Sequence, residues 1–168
     1  MACVNIAVDS PTRADVRALL EEHLAEMHAT SPPESVHALD PVALAGPAVT
    51  FLTARSDETG QLLGCGALSE LDPGPDGHGE IKSMRTARGA RGLGVATRLL
   101  GELMTLAAER GYTRVSLETG AEDFFAPARR IYTRHGFVEC EPFAAYVPDP
   151  NSVFMTFALS VPPPEGSR

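Results

Sequence analysis

A glycine-rich segment that precedes an amphipathic helix constrains this chain more than any other feature. The segment reads Arg91-Gly92-Leu93-Gly94-Val95-Ala96 and follows a strand-like stretch at 80–86. From Val95 onward, apolar residues recur at helical spacing, and Gly111 is a natural helix stop. The pattern predicts a strand, a tight loop and a helix over 93–110 in direct succession.

This loop has the features of a pyrophosphate-binding site. Backbone N–H groups at a helix N-terminus donate to phosphate oxygens, and the helix dipole attracts their negative charge. Gly92 and Gly94 leave no side chain to block a close approach of the backbone. Arg91 adds a cation at the rim, and with Arg85 and Arg88 it forms the most basic patch of the chain. A P-loop GxxxxGK[ST] does not occur, and the third glycine of a Rossmann GxGxxG is missing.

The remaining elements predict the fold class. Ser10 as N-cap and Pro11 as first residue predict a helix start. That helix is expected to run to about Met27, with one apolar face formed by Val16, Leu19, Leu20 and Leu24. A further helix is predicted from Pro127 to Gly136, and strands at 4–8, 49–54, 62–71, 115–118, 137–142 and 153–159. The order β-α-β-β-β-α-β-α-β-β predicts an α/β fold with a mixed sheet and helices on both faces. One domain is expected over 1–160, followed by a frayed, proline-rich tail at 161–168.

Composition limits the class of protein. The net charge of −8 argues against non-specific nucleic-acid binding, which needs a basic face, and weakly favours a cationic substrate. No signal peptide and no membrane-spanning stretch is recognised. Cys3, Cys65 and Cys140 are far apart, as is typical of free thiols in a reducing compartment, so a cytoplasmic location is expected. HxH, HExxH and CxxC patterns are missing, so no metal site is predicted.

The loop resembles the acetyl-CoA motif of the GNAT superfamily of N-acetyltransferases, [QR]-x-x-G-x-[GA]. Arg91, Gly94 and Ala96 match it position for position, and the similarity extends over about 48–159. Segments 80–84, 116–120 and 151–155 resemble a bacterial branch whose substrate is poorly defined. The resemblance implies a mostly antiparallel, twisted sheet that splays between the strands at 80–86 and 114–118. It also implies acetyl-CoA as cosubstrate, with its arm lying in the splay.

The resemblance further assigns the residues that would hold acetyl-CoA. The backbone of Met84 and Thr86 would pair with the pantetheine arm like an added strand. The pyrophosphate would be bound by the amides of 92–97. The expected cofactor-binding residues are therefore Met84, Arg85, Thr86, Arg91, Gly92, Leu93, Gly94, Val95, Ala96, Thr97, Thr119 and Ala128.

A tyrosine is the candidate general acid. Ala128, Ile131, Tyr132 and the later Gly136-Phe137 resemble the second CoA segment of the family, in which this tyrosine protonates the leaving thiolate. The alternative is that Tyr132 is a core residue with its hydroxyl at the surface. Phe125 stands where the family often has a cofactor-contacting asparagine, so the CoA contact of this segment is left open.

Glu80 is the candidate base that removes a proton from the incoming ammonium. Its position eleven residues before Arg91 is similar to the glutamate base of the histone-acetylating branch. Alternation along an ideal strand places Glu80, Lys82 and Met84 on one face. Two alternatives stay open: a solvated or Lys82-neutralised carboxylate, and a reaction in which water is the base.

The acceptor site is expected between two loops. Ser35 and His37 lie in the first, within 35–40, and Tyr146 lies in the second. Together the features predict an N-acetyltransferase that moves an acetyl group to a primary amine of a small molecule or peptide by direct attack. The alternative is a non-catalytic acyl-CoA sensor or partner-binding protein. A homodimer is expected on family grounds alone.

Overall fold

The computed structural model describes residues 3–37, 40–74 and 76–159, and within them one mixed sheet is flanked by helices on both faces. The predicted order of strands and long helices is confirmed. The predicted tail at 161–168 lies outside the described residues. The strands are β1 Val4–Val8, β2 Val49–Ser56, β3 Leu62–Asp72, β4 His78–Thr86, β5 Arg114–Gly120, β6 Val138–Glu139 and β7 Ser152–Ala158. The helices are α1 Ala14–Thr30, α2 Pro41–Leu44, α3 Val95–Glu109 and α4 Ala126–His135.

The sheet is open at its centre. Its strand order is β1-β2-β3-β4-β5-β7-β6, and all neighbours are antiparallel except β4 and β5. The parallel β4–β5 pairing runs only from His78 to Ile81 on β4 and from Arg114 to Leu117 on β5. Beyond it β4 continues on β3 and β5 continues on β7, so the two strands part. The splay expected at this point is confirmed.

A bulge in β4 changes which side chains face which layer. Ser83 and Met84 lie opposite the single residue Gly66, and Ser83 has a φ of 56°. The thioether of Met84 packs beside Leu103, on the α3 face. The expectation that Met84 shares a face with Glu80 and Lys82 is therefore wrong, because the extra residue shifts the alternation after Lys82.

Two apolar cores lie on opposite faces of the sheet. α3 and α4 cover one face, where Leu99, Leu103 and Tyr132 pack against Leu117. α1 and α2 cover the other face of β2 and β3, where Val16 and Leu20 pack against Phe51 and Cys65. Burial raises the pKa of the Cys65 thiol to about 12, so this cysteine is an inert core residue.

Two predicted boundaries and one predicted buried position need correction. α1 begins at Ala14, because Ser10 closes a turn by accepting from the Arg13 amide at 3.3 Å instead of capping a helix. Leu24, expected on the buried face of α1, is 37% exposed. The strand expected at 137–142 is only two residues long, Val138–Glu139, and beyond it the Cys140 amide makes one more bond, to the Phe154 carbonyl at 2.9 Å.

Asp9 holds the end of β1 to β2, and we expect its loss to destabilise the protein. Thr53 Oγ1 and Arg55 Nε donate to Asp9 Oδ2 at 2.8 and 3.2 Å. Burial alone would raise the pKa of Asp9, but hydrogen bonds from the Ser10 amide, Thr53, Arg13 and Arg55 lower it from 3.8 to about 2. Asp9→Asn should lower the free energy of unfolding at pH 7 by about 1–2 kcal/mol.

The sign of the pH dependence follows from the lowered pKa. The carboxylate stabilises the fold above the pKa of the unfolded chain, and this contribution is lost as the pH falls from about 4 to about 2. The free energies of unfolding of wild type and Asp9→Asn, measured with urea, should therefore differ at pH 7 and become equal near pH 2. The exposed Asp57, which forms no ion pair within the described ranges, provides the matched Asp→Asn control. A constant difference at all pH values would contradict the assignment.

Candidate active site

The glycine-rich loop forms a cradle of free backbone donors. After β4 the chain passes through a 3₁₀ turn at Arg88–Ala90, and α3 begins at Val95 with Gly94 as its N-cap. Gly92 and Gly94 have φ values of 81° and 77°, and the space at their missing Cβ positions is open to at least 4 Å. The helix start has no side-chain cap. The first-turn amides of α3 at 95–97 therefore remain available to an anion.

A cleft of about 510 Å³ begins at this cradle and runs along the splay to α4. Ten of the twelve predicted cofactor-binding residues line it, at 84–86, 91, 92, 94–97 and 128. The other two lie elsewhere: Leu93 is 65% exposed on the outer side of the loop, and Thr119 lines the neighbouring cavity. Arg134 of α4, which sequence reasoning missed, adds a cation on the far wall of the cleft.

The expectation of a basic patch at Arg85, Arg88 and Arg91 needs correction, because ion pairs to α1 neutralise most of its charge. Arg85 is 8% exposed, and its guanidinium lies 2.5 Å from Glu26 and 3.3 Å from Glu22. Arg88 pairs with the same two carboxylates at 2.9 and 3.2 Å. Only Arg91 remains loosely held, at 3.8 Å from Glu26. The side chain of Arg85 therefore fixes the loop to α1, and Arg91 is the loop cation available to a phosphate.

Tyr132 lies where the cleft meets a second, smaller cavity. This cavity of about 100 Å³ lies on the α1 face of the splay, and Tyr132 lines both spaces together with His23, Met84, Phe125 and Ala128. The side chain is 7% exposed, and its hydroxyl forms no hydrogen bond within the described parts of the chain. Burial and the nearby charge of Glu118 raise the pKa of Tyr132, so the phenol keeps its proton at neutral pH.

The smaller cavity contains a hydrogen-bonded triangle. The Tyr146 hydroxyl donates to Glu80 Oε2 at 2.5 Å, and Lys82 Nζ donates to the same oxygen at 3.2 Å and to the Tyr146 oxygen at 3.0 Å. Glu80 is 5% exposed. Burial and the charge of Glu80 raise the pKa of Tyr146, which keeps this phenol a donor. Glu80 is therefore neither solvated nor free, since a cation and a phenol already bind it.

The predicted acceptor residues Ser35, His37 and Tyr146 all line this cavity, but their roles differ. His37 packs edge-on against Tyr146, with ring centroids 5.1 Å apart. Ser35 is buried, and its hydroxyl donates to Asp149 at 2.7 Å and accepts from Asn151 at 3.3 Å. Ser35 therefore joins the two acceptor loops, whereas His37 and Tyr146 form the wall. Ala38 and Leu39, from the same predicted segment, lie outside the described residues.

Besides Arg134, sequence reasoning missed His23 and Glu118 as residues of the site, and it left the contacts of Phe125 open. His23 of α1 lines both spaces, and its Nδ1 is buried without a partner among the described residues. Burial lowers the pKa of His23 to about 4. Phe125 lies over Gly120, where a Cβ would overlap its ring. Glu118 of β5 faces the smaller cavity. The alternation of polar Ser116 and Glu118 with apolar Leu117 was the signal that could have identified Glu118.

Within 3–37, 40–74 and 76–159, no three His, Cys, Asp or Glu side chains are grouped so that they could hold a metal ion. None of the helices in these ranges combines the length and apolarity needed to cross a bilayer.

Comparison with known proteins decides the family. The model of the Acetyltransferase (GNAT) family matches residues 16–137. The chain belongs to the GNAT family. It is therefore an N-acetyltransferase, and the family's reaction is acyl transfer from acyl-CoA.

The protein is similar to relatives over nearly its whole length. It is 50% identical to the uncharacterized N-acetyltransferase YsnE of Bacillus subtilis over 156 residues, which are 93% of this chain and 100% of YsnE. It is 38% identical to the IAA acetyltransferase of Azospirillum brasilense, over 92% of this chain and 97% of that one. A crystal structure described as an acyl-CoA N-acyltransferase, from Klebsiella pneumoniae, superimposes with a TM-score of 0.76 at 32% identity and covers 95% of this chain and 100% of that one.

The cradle should be sensitive to any side chain at Gly94. Gly94→Glu is expected to abolish acetyl-CoA binding, because the new carboxylate occupies the space of the phosphates and repels them. Gly94→Ala adds only a methyl group at positive φ and should weaken binding about tenfold through a strain of about 1–2 kcal/mol. Isothermal calorimetry with acetyl-CoA measures both effects.

Gly101→Ala is the matched control for these two variants. Gly101 lies on the same helix, has open space around its Cβ position and is not among the positive-φ glycines. The substitution should stabilise the protein by about 0.5–1 kcal/mol and leave the dissociation constant of acetyl-CoA unchanged. Wild-type affinity in Gly94→Glu would show that the cradle does not bind the pyrophosphate.

Proposed function

We propose that this protein transfers the acetyl group of acetyl-CoA to a primary amine of a small molecule or peptide by direct attack. The observation that carries the proposal is the position of Tyr132. Tyr132 lines both the cleft and the smaller cavity, and its protonated hydroxyl forms no hydrogen bond within the described residues. The cleft is the expected place for the cosubstrate, and the cavity is the expected place for the acceptor.

The residues of the cleft fit acetyl-CoA. The open space at Gly92 and Gly94 and the uncapped amides of α3 suit a pyrophosphate, and Arg91 and Arg134 both line the cleft. The β4 and β5 backbones part beyond Ile81 and Leu117, which leaves strand edges to which the pantetheine amides can bond. When bound, acetyl-CoA supplies the activated acetyl group. The chain itself positions the arm, excludes water and supplies a proton.

Tyr132 is proposed as the general acid. A thiolate leaves when the amine attacks, and a phenol at the junction of the two spaces can protonate its sulfur. Because burial and Glu118 keep the phenol protonated, it is a donor throughout the neutral range. A group that titrated near pH 7 would be only partly in the donor form.

The acceptor is proposed to be cationic before it reacts. The smaller cavity contains two carboxylates, Glu80 and Glu118, against one lysine, and the chain as a whole carries a net charge of −8. The triangle of Glu80, Lys82 and Tyr146 forms one wall and His37 packs against it. This wall is proposed to orient the amine, with Glu80 as the candidate base taken from the family resemblance.

The experiment that tests the function is release of free thiol from acetyl-CoA in the presence of a panel of amines, amino acids and peptides. Mass spectrometry of each product shows whether the nitrogen carries the acetyl group. IAA belongs in the panel because the Azospirillum relative is named for it. Acetyl-CoA binding without thiol release from any acceptor would favour a non-catalytic sensor. Light scattering at assay concentrations tests the proposed homodimer separately.

Tyr132→Phe should separate catalysis from binding. The variant loses one oxygen and keeps the ring that packs against Phe137 at 5.9 Å. We expect kcat to fall by about 10²–10⁴-fold while acetyl-CoA affinity stays unchanged, as for the loss of a positioned acid. Tyr112→Phe is the control, because the buried Tyr112 donates to Glu70 at 2.9 Å and does not line the site. Wild-type turnover in Tyr132→Phe would make water the proton source.

A further inference from the structure

Glu118 lies on β5 directly beyond the last residue that pairs with β4. It is the first residue after Leu117, where the pairing with β4 ends, and so it stands at the mouth of the splay. Leu117 packs in the core beneath α3, and the alternation of the strand turns Glu118 to the opposite face. There it lines the smaller cavity together with Glu80, Lys82 and Tyr132.

The two carboxylates of this cavity differ in their partners. Glu80 forms a salt bridge with Lys82 and accepts a hydrogen bond from Tyr146. Glu118 forms no salt bridge within the described residues, and its one hydrogen bond is from the Ser152 hydroxyl to Oε1 at 2.8 Å. The second oxygen of Glu118 is therefore available to a cation, whereas the charge of Glu80 is already balanced.

We propose that Glu118 is a catalytic residue that binds the ammonium group of the acceptor and removes its proton before attack. This inference rests on the proposed acetyl transfer and assigns the base role to Glu118 in place of Glu80. Glu80 then acts as a positioning residue, since it holds Lys82 and Tyr146 in the cavity wall.

The protons balance with these two residues. Glu118 takes one proton from the ammonium, and the freed electron pair forms the C–N bond at the acetyl carbon while the C–S bond breaks with its electrons on sulfur. Tyr132 gives its proton to that sulfur and regains one from the nitrogen of the new amide. Glu118 then releases its proton to water. The sum is one amide, one thiol and one proton.

The surroundings of Glu118 suit a base. Burial raises the pKa of Glu118 above the ordinary glutamate value, which brings its proton affinity closer to that needed at neutral pH. The charged and titratable groups that face it are His37 from the first acceptor loop, Glu80 and Lys82 from β4, Tyr132 from α4 and Tyr146 from the second loop. The hydrogen bond from Ser152 keeps the carboxylate oriented.

The test compares Glu118→Gln with Glu80→Gln on two small probe amines, propylamine and 2,2,2-trifluoroethylamine. Propylamine is an ammonium ion at neutral pH, whereas the fluorinated amine is mostly uncharged. With propylamine we expect Glu118→Gln to lower kcat/KM by about 10²-fold or more, and Glu80→Gln to lower it by less than about tenfold. With trifluoroethylamine the effect of Glu118→Gln should shrink to a few-fold, because no proton has to be removed before attack.

The pH profile provides a second readout that a structural role would not alter. The loss of kcat/KM for propylamine in Glu118→Gln should become smaller as the pH rises, because more of the propylamine is then uncharged. Glu118→Asp should be slower than wild type and keep the wild-type shape of the profile. Calorimetry with acetyl-CoA and thermal unfolding of each variant show that the cosubstrate site and the fold are intact.

The outcomes are distinguishable. An equal loss of rate for both amines, or a larger loss in Glu80→Gln, would overturn the role of Glu118 and leave acetyl transfer standing. No thiol release by wild type from either probe or from the wider amine panel would overturn the proposed function, and this inference with it.

Discussion

The active site depends on the short parallel pairing between β4 and β5. Four residues on each strand form the ladder, and then the two strands diverge. An open sheet normally buries its backbone donors and acceptors in continuous ladders, so a gap between central strands leaves polar groups that need another partner. In this protein the gap is the cleft itself. A ligand with amide groups along its length is suited to supply the missing hydrogen bonds.

The bulge at Ser83 and Met84 determines which β4 side chains face each side of the opening. Before the bulge, Glu80 and Lys82 point to the α1 face, and after it Arg85 also points there. The one-residue shift sends Met84 to the α3 face, where it fills the space above Gly66. Arg85 can then reach Glu26 of α1, which ties the start of the glycine-rich loop to a helix distant in sequence. We infer that this buried ion pair serves loop position more than stability, because desolvation offsets much of its attraction.

Local features of the sequence predicted much of this arrangement, and long-range contacts account for what they missed. The loop at 91–97 and α3 were recognisable because glycine conformation and helical periodicity are properties of neighbouring residues. The start of α1 was predicted wrongly because Asp9 and Ser10 form their turn beside Arg55, which lies more than forty residues away. The face of Met84 depends on a register shift against β3, which no pattern within β4 reveals. For the same reason, the Arg85 ion pairs with α1 could not be foreseen.

The two proposed proton-handling groups approach the junction from opposite faces of the sheet. Tyr132 belongs to the core that α3 and α4 cover, yet it also lines the cavity on the α1 face. Glu118 starts from β5 and faces that cavity directly. In a continuous sheet the backbone would separate such groups by its full thickness. Only where β4 and β5 part can a donor from one layer and an acceptor from the other serve the same small volume. In the proposed mechanism the splay therefore does more than admit acetyl-CoA, because it lets the phenol of Tyr132 and the carboxylate of Glu118 act on the sulfur and the nitrogen that flank the reacting carbon.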